Sequence, residues 1–176
     1  MARTKDPHAA TLKAWETRRR SEHEGLGSWD RDGRWTPTDA AALARWRSTN
    51  GVAATDVPVP FPVWTSEERG FDPASGDWWH GNRKIDKNAP VAKGRFVGEI
   101  SVKVSDLIAT QHVVVEAQVA RNVASLRTTG DPSASGKAPV IVRVKGKMFI
   151  YDGHHRASAA RVAGAASILA KVFEVG

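Results

Sequence analysis

The clearest pattern of apolar and polar positions lies in the second half of the chain. In "GEISVKVSDL", Ile100, Val102 and Val104 alternate with polar neighbours, the period of a half-buried strand, and Ser105 stands where a short helical turn is capped. In "VVVEAQVARNVASL" the period changes, and Val115, Val119, Val123 and Leu126 fall on one helical face. Beyond the loop "TTGDPSASGK", the run "PVIVRVKGKMFIYD" carries two β-rich segments about Lys145, Gly146 and Lys147, which predicts a hairpin. A helix is predicted from His154 to about Ala163, ended by Gly164, and "ILAKVFEV" supplies a last strand. Strand, helix, hairpin, helix, strand is the order of an α/β or α+β domain over residues 92–176.

The first half is less regular. In "HAATLKAWETRRRSEHEG", Leu12 and Trp15 stand three residues apart, and Arg18, Arg19 and Arg20 come near the end, where cations complement a helix dipole before Gly25 and Gly27. A short basic helix is predicted there. A second follows in "TPTDAAALARWRSTNG", with Thr36 as N-cap, Pro37 at the first helical position, Asp39 in the capping box and Gly51 as terminator. Leu43 and Trp46 form its inner stripe, flanked by Arg45 and Arg47. From Val52 to Pro90 the chain is rich in proline, glycine and aspartate, which predicts either an extended segment packed over a neighbour or a linker. The expected organisation is a basic helical extension over 1–51, a Pro/Gly/Trp-rich segment over 52–91 and a folded domain over 92–176.

Composition narrows the classes. A chain of 176 residues holds one domain with attached segments or two small domains. With 41% hydrophobic and 26% charged residues it is not globally disordered, and no run is apolar and long enough to span a bilayer. "MARTKDPHAATLKAW" lacks the apolar core of a secretory signal, so a cytoplasmic address is expected, with no membrane partner. No cysteine is present, which excludes disulfides, zinc-thiolate sites and cysteine nucleophiles. The net charge of +7 favours anionic partners such as nucleotides or nucleic acid. Arg18, Arg19, Arg20, Arg45 and Arg47 are the expected nucleic-acid footprint. All seven tryptophans precede residue 80, and their two uses are anchoring irregular chain to a core or stacking on single-stranded bases.

The chemistry concentrates in "MFIYDGHHRASAARVAGA", residues 148–165. Asp152 and Gly153 end a strand, and His154, His155 and Arg156 open a helix, where unpaired N–H groups and the dipole favour an anion. Gly153 lets a phosphate approach the backbone or permits a positive φ. Arg156 can grip phosphate oxygens bidentately, and one histidine can donate a hydrogen bond or move a proton while the other faces the strands. Adjacent histidines on a helix do not converge on one ion, so no metal site is read here.

On "GEISVKVSDLIATQ" and "PVIVRVKGKMFIYDGHHRASAARVAGA" the chain resembles the ParB/sulfiredoxin superfamily, in its ParB-like nuclease branch, over about residues 96–176. The resemblance implies a small mixed sheet with helices. ParB proteins carry Gly-Glu-Arg-Arg before an Ala-Ala helix and hold nucleoside triphosphate phosphates there, which places Gly153, His154, His155 and Arg156 in the nucleotide-binding positions. Sulfiredoxins carry Gly-Cys-His-Arg, matched by His155 and Arg156 with His154 in place of the cysteine, so their sulfinic acid chemistry is excluded. Free-standing phage and mobile-element proteins with Asp-Gly-His-His-Arg are classed as nucleases, which for a phage protein means the host cytoplasm.

The resemblance therefore implies a nuclease or nucleotide hydrolase acting on DNA, with His155 as acid or base, Arg156 as clamp, and Asp152 and Glu99 as carboxylates of the site. Its cofactor would be a nucleoside triphosphate or diphosphate with Mg²⁺. Two alternatives belong to other classes: a non-catalytic module in which nucleotide switches DNA or protein binding, and a nucleotide-dependent small-molecule kinase. Neither the nucleotide nor the oligomeric state is read from the sequence.

Overall fold

The computed structural model describes residues 25–63, 71–72, 77–80, 83–84, 94–131 and 136–175. The predicted basic helix with Arg18, Arg19 and Arg20 lies outside them. The described chain opens with an antiparallel hairpin, β1 (Gly27–Trp29) and β2 (Trp35–Pro37), followed by helix α1 (Ala40–Asn50) and β3 (Asp56–Pro58). Three short strands, β4 (Phe71–Asp72), β5 (Asp77–His80) and β6 (Arg83–Lys84), form an antiparallel sheet of their own. Then come β7 (Arg95–Lys103), a 3₁₀ turn (Val104–Asp106), β8 (Leu107–Ala109), β9 (Val113–Val115) and α2 (Glu116–Thr129). The chain continues through β10 (Val140–Val144), β11 (Lys147–Asp152), α3 (His154–Val162) and β12 (Ser167–Val175).

The expected mixed α/β architecture is present, built on a five-stranded sheet in the order β7-β12-β10-β11-β8. The β10–β11 hairpin turns where φ is positive at both Lys145 and Gly146, as a tight two-residue connection demands. β12 lies parallel to β10 and antiparallel to β7, while β8 is parallel to β11. One face of the sheet carries Ile141, Ile150, Ala170, Val172 and Val102 into a cluster with Val119 and Val123 of α2 and Ala157, Ala159 and Ala160 of α3. Each fully buried Ile or Val there contributes on the order of 1.5–3 kcal/mol. Small alanines let α3 lie close against the sheet, which fixes the start of that helix relative to the end of β11. On the opposite face Val142 and Val175 form a second buried cluster.

Two elements differ from the sequence expectation. α1 starts at Ala40 with Asp39 as its N-cap, its carboxylate accepting from the N–H groups of Ala41 and Ala42; Thr36 and Pro37 stand at the end of β2. Pairing with β1 holds those residues extended and moves the helix start. The valine run 113–115 is a strand, with α2 beginning only at Glu116, because Val113, Val114 and Val115 pair with Pro58, Val57 and Asp56. Residues 56–63, in the segment expected either to pack over a neighbour or to act as a linker, put Val57, Val59 and Phe61 into the same core as the sheet. Val59 N–H donates to the His112 carbonyl, and Ala109 N–H to the Pro62 carbonyl.

The β1–β2 hairpin lies on α2. A Cβ at Gly33, which has a φ of +79°, would come within 2.9 Å of the Ala120 Cα. Trp35 N–H donates to the Glu116 carboxylate, Arg127 pairs with Asp32, and Trp29 Nε1 donates to the Pro58 carbonyl. Trp29 and Trp35 meet edge to face and sit partly buried against the core, so both serve as anchors.

Candidate functional site

The junction predicted from "DGHHR" forms where β11 passes into α3. Gly153 is the N-cap residue, with a φ of 90° and ψ of 31°, a left-handed conformation in which a Cβ is strained. Among the described residues no side chain caps the helix, and its first internal hydrogen bond runs from Ala157 N–H to the Gly153 carbonyl. The N–H groups of the first turn therefore lack helical acceptors.

Arg156 folds back over this turn. Its guanidinium donates to the Asp152 carboxylate at 2.7 Å and to the Lys137 carbonyl at 2.6 Å, and its side chain is only 13% exposed. Gly153 leaves the space: a Cβ there would stand 2.7 Å from Arg156 Nη2 and 2.8 Å from the Pro139 Cβ. Asp152 is 65% exposed at the rim.

The two histidines diverge, as adjacent positions on a helix must. His154 is buried, and its Nε2 lies 3.0 Å from the Thr110 N–H and 3.1 Å from Thr110 Oγ1, which is itself 2.7 Å from the Ile150 carbonyl. With the hydroxyl donating to that carbonyl, Nε2 accepts the backbone N–H and the proton of neutral His154 resides on Nδ1. Burial, helped by the neighbouring His155 and opposed by Asp152, pushes the His154 pKa down to about 4. His155 is half-buried, and its Nε2 accepts from Val115 N–H at 3.0 Å. Its pKa too is lowered, chiefly by burial; Asp56 opposes the shift and Arg156 reinforces it. Both imidazoles therefore hold the chain between β8 and α2 by accepting backbone N–H groups, Thr110 at one end and Val115 at the other.

The structure thus gathers Asp152, Gly153, His155 and Arg156 at one surface and turns His154 into the core. Glu99 is elsewhere. It stands in register with Lys171 of β12, which is in register with Val140 and then Asp152, so three strand spacings, about 14 Å, separate Glu99 from the junction. Its carboxylate lies 3.6 Å from the Lys171 ammonium. Arg47 donates through Nε and Nη2 to the Asp56 carbonyl, and Arg45 is exposed on α1.

Two contributors were not singled out from sequence. Asp56 is brought beside His155 because β3 pairs with β9 and places Asp56 opposite Val115. Lys137 supplies its backbone carbonyl to Arg156. Neither carries a local signal, since one depends on a long-range strand pairing and the other on a main-chain atom. Among the described residues no group of three His, Cys, Asp or Glu side chains is placed to hold a metal ion, and no helix is long and apolar enough to cross a membrane.

No protein-family profile matches the chain, and no curated protein matches it. Among solved structures it has a weak similarity to sulfiredoxin from Arabidopsis thaliana, at 18% identity and a TM-score of 0.37, over 43% of this chain and 84% of that one.

Proposed function

We propose that the chain is a phosphate-binding module that takes the phosphates of a nucleotide or of nucleic acid at the turn from Gly153 to Arg156. The observation that carries this reading is the uncapped start of α3 with a largely buried guanidinium fixed beside it. Unpaired N–H groups and an arginine are complementary to phosphate oxygens. The resemblance of the motif to the ParB nucleotide-binding segment points to the same ligand class. His155 adds a donor: with Nε2 accepting from Val115 N–H, its neutral ring carries the proton on Nδ1. The described residues do not fit a resident metal, so Mg²⁺ enters this proposal only as part of a nucleotide complex.

A phosphoester hydrolase is the second reading, favoured by the placing of His155 beside Arg156, where burial lowers the pKa of the ring against partial opposition from Asp56. The Nδ1–H of His155 and the Arg156 guanidinium can together donate hydrogen bonds to the charge that develops on a leaving oxygen. In that case His155→Ala spares binding and lowers turnover. In a binding module no turnover accompanies affinity.

Thermal shift with the four ribonucleoside triphosphates, ADP, and a short DNA, each with and without Mg²⁺, tests the proposal. A ligand at about a hundred times its Kd raises Tm by roughly 5–10 °C for a chain of this size. Arg156→Ala abolishes the shift with the fold retained by circular dichroism; an undiminished shift in the folded variant removes the junction from the site. Asp152→Asn strengthens binding several-fold, because the carboxylate that competes with phosphate for Arg156 is neutralised. For DNA, the affinity of the full chain falls steeply with salt if Arg18, Arg19, Arg20 and Arg45 form an electrostatic footprint.

A further inference from the structure

The segment Glu99–Lys103, Glu-Ile-Ser-Val-Lys, lies on β7, the outermost strand of the five-stranded sheet. Among the described residues no strand pairs with its outer edge. A free edge is a template for another strand, and charges placed on it commonly oppose pairing. Here the charges are of opposite sign and equidistant from Ser101.

We propose that this edge is a self-association surface, at which Glu99–Lys103 pairs antiparallel with the same segment of a second copy about a two-fold axis at Ser101. In that register each Glu99 faces Lys103 of the other copy, and Ser101 faces its own equivalent. On the opposite face of the strand, Ile100 comes into register with Val102 of the other copy, which is already buried in its own core, so that face supplies little new apolar contact. Axes at Glu99 or Lys103 would set like charges against each other. An axis at Ile100 would set Glu99 against Ser101, and one at Val102 would set Lys103 against Ser101, so both forgo the ion pairs.

The local structure exposes the same window. Glu99, Ser101 and Lys103 are exposed, Ile100 is half-buried and Val102 is buried. On the N-terminal side the register shift at Val172/Phe173 and Gly98, with a φ of +139°, interrupt the ladder; on the C-terminal side the 3₁₀ turn begins at Val104. Lys103 forms no ion pair among the described residues. Among the same residues, Glu99 has the long contact to Lys171, at 3.6 Å, as its ion pair. Leu169, 55% exposed and in register with Ser101, flanks the axis.

Because the chain has no cysteine, a single introduced one reports its own contacts. Opposed Cα atoms across an antiparallel pair fall in the range a disulfide spans. Ser101→Cys is expected to form a covalent dimer under mild oxidation, while Arg121→Cys, exposed on α2, is not. Sedimentation of the cysteine-free chain gives the equilibrium arm: E99K and K103E each weaken association roughly tenfold, and the double variant, which exchanges the charges, restores it. A wild-type chain that stays monomeric at hundreds of micromolar, a dimer insensitive to both single changes, or no rescue in the double variant overturns the proposal. So does equal cross-linking at residues 101 and 121.

Discussion

Gly153→Ala lowers stability by roughly 2–5 kcal/mol and removes anion binding together with it. A Cβ in the left-handed region costs about 1–2 kcal/mol. At this position it also meets the Pro139 Cβ and the Arg156 guanidinium at 2.8 and 2.7 Å. The guanidinium is the part that can move, and moving it breaks its hydrogen bonds to Asp152 and the Lys137 carbonyl, at a further cost of about 1–3 kcal/mol. Gly164 is the control: its φ is +79° and a Cβ there meets nothing within 4 Å, so Gly164→Ala carries only the conformational cost. Urea unfolding of both variants measures the difference. Equal losses at the two positions would show that the space over Gly153 is not needed by Arg156.

Acid destabilises the chain well above the range in which carboxylates titrate. The folded His154 pKa, about 4, lies below the unfolded value near 6.5, so at neutral pH the ring is uncharged in both states and the full stability is present. As pH falls through 6.5 the unfolded chain takes up a proton that the native chain refuses, and stability is lost until the folded pKa is reached. Linkage puts the loss at about 2 kcal/mol by pH 5 and about 3 kcal/mol by pH 4. The lowered His155 pKa acts in the same direction. In His154→Gln an amide oxygen can accept the Thr110 N–H without titrating, so the stability difference between pH 7 and pH 5 shrinks by about the same 2 kcal/mol. Parallel pH profiles for the two proteins would mean that His154 is not the group responsible.

Much of the C-terminal half is legible because its signals are local. The alternation in β7, the Lys145–Gly146 turn and the Gly153 start of α3 each depend on neighbours a few residues away. The Gly164 stop of that helix belongs with them. Asp39 was placed at the right helix but in the wrong role, because pairing of β2 with β1 outweighs the capping preference of Thr36. At the junction, residue types identified the place, whereas the roles of the two histidines depended on where Thr110 and Val115 lie. Asp56 was not legible, since only the β3–β9 pairing carries it to His155.

The lodging of residues 56–63 in the core has a consequence for synthesis. Trp35 waits for Glu116, a partner 81 residues further along. At ordinary elongation rates that interval is roughly 4–16 s. Through most of it the β1–β2 hairpin, and after its own synthesis the apolar run Val57, Val59 and Phe61, lack the partners they pack on, because β9 and α2 emerge only at its end. The exposed apolar run makes slowed elongation before residue 116 a condition expected to lower the yield of folded protein.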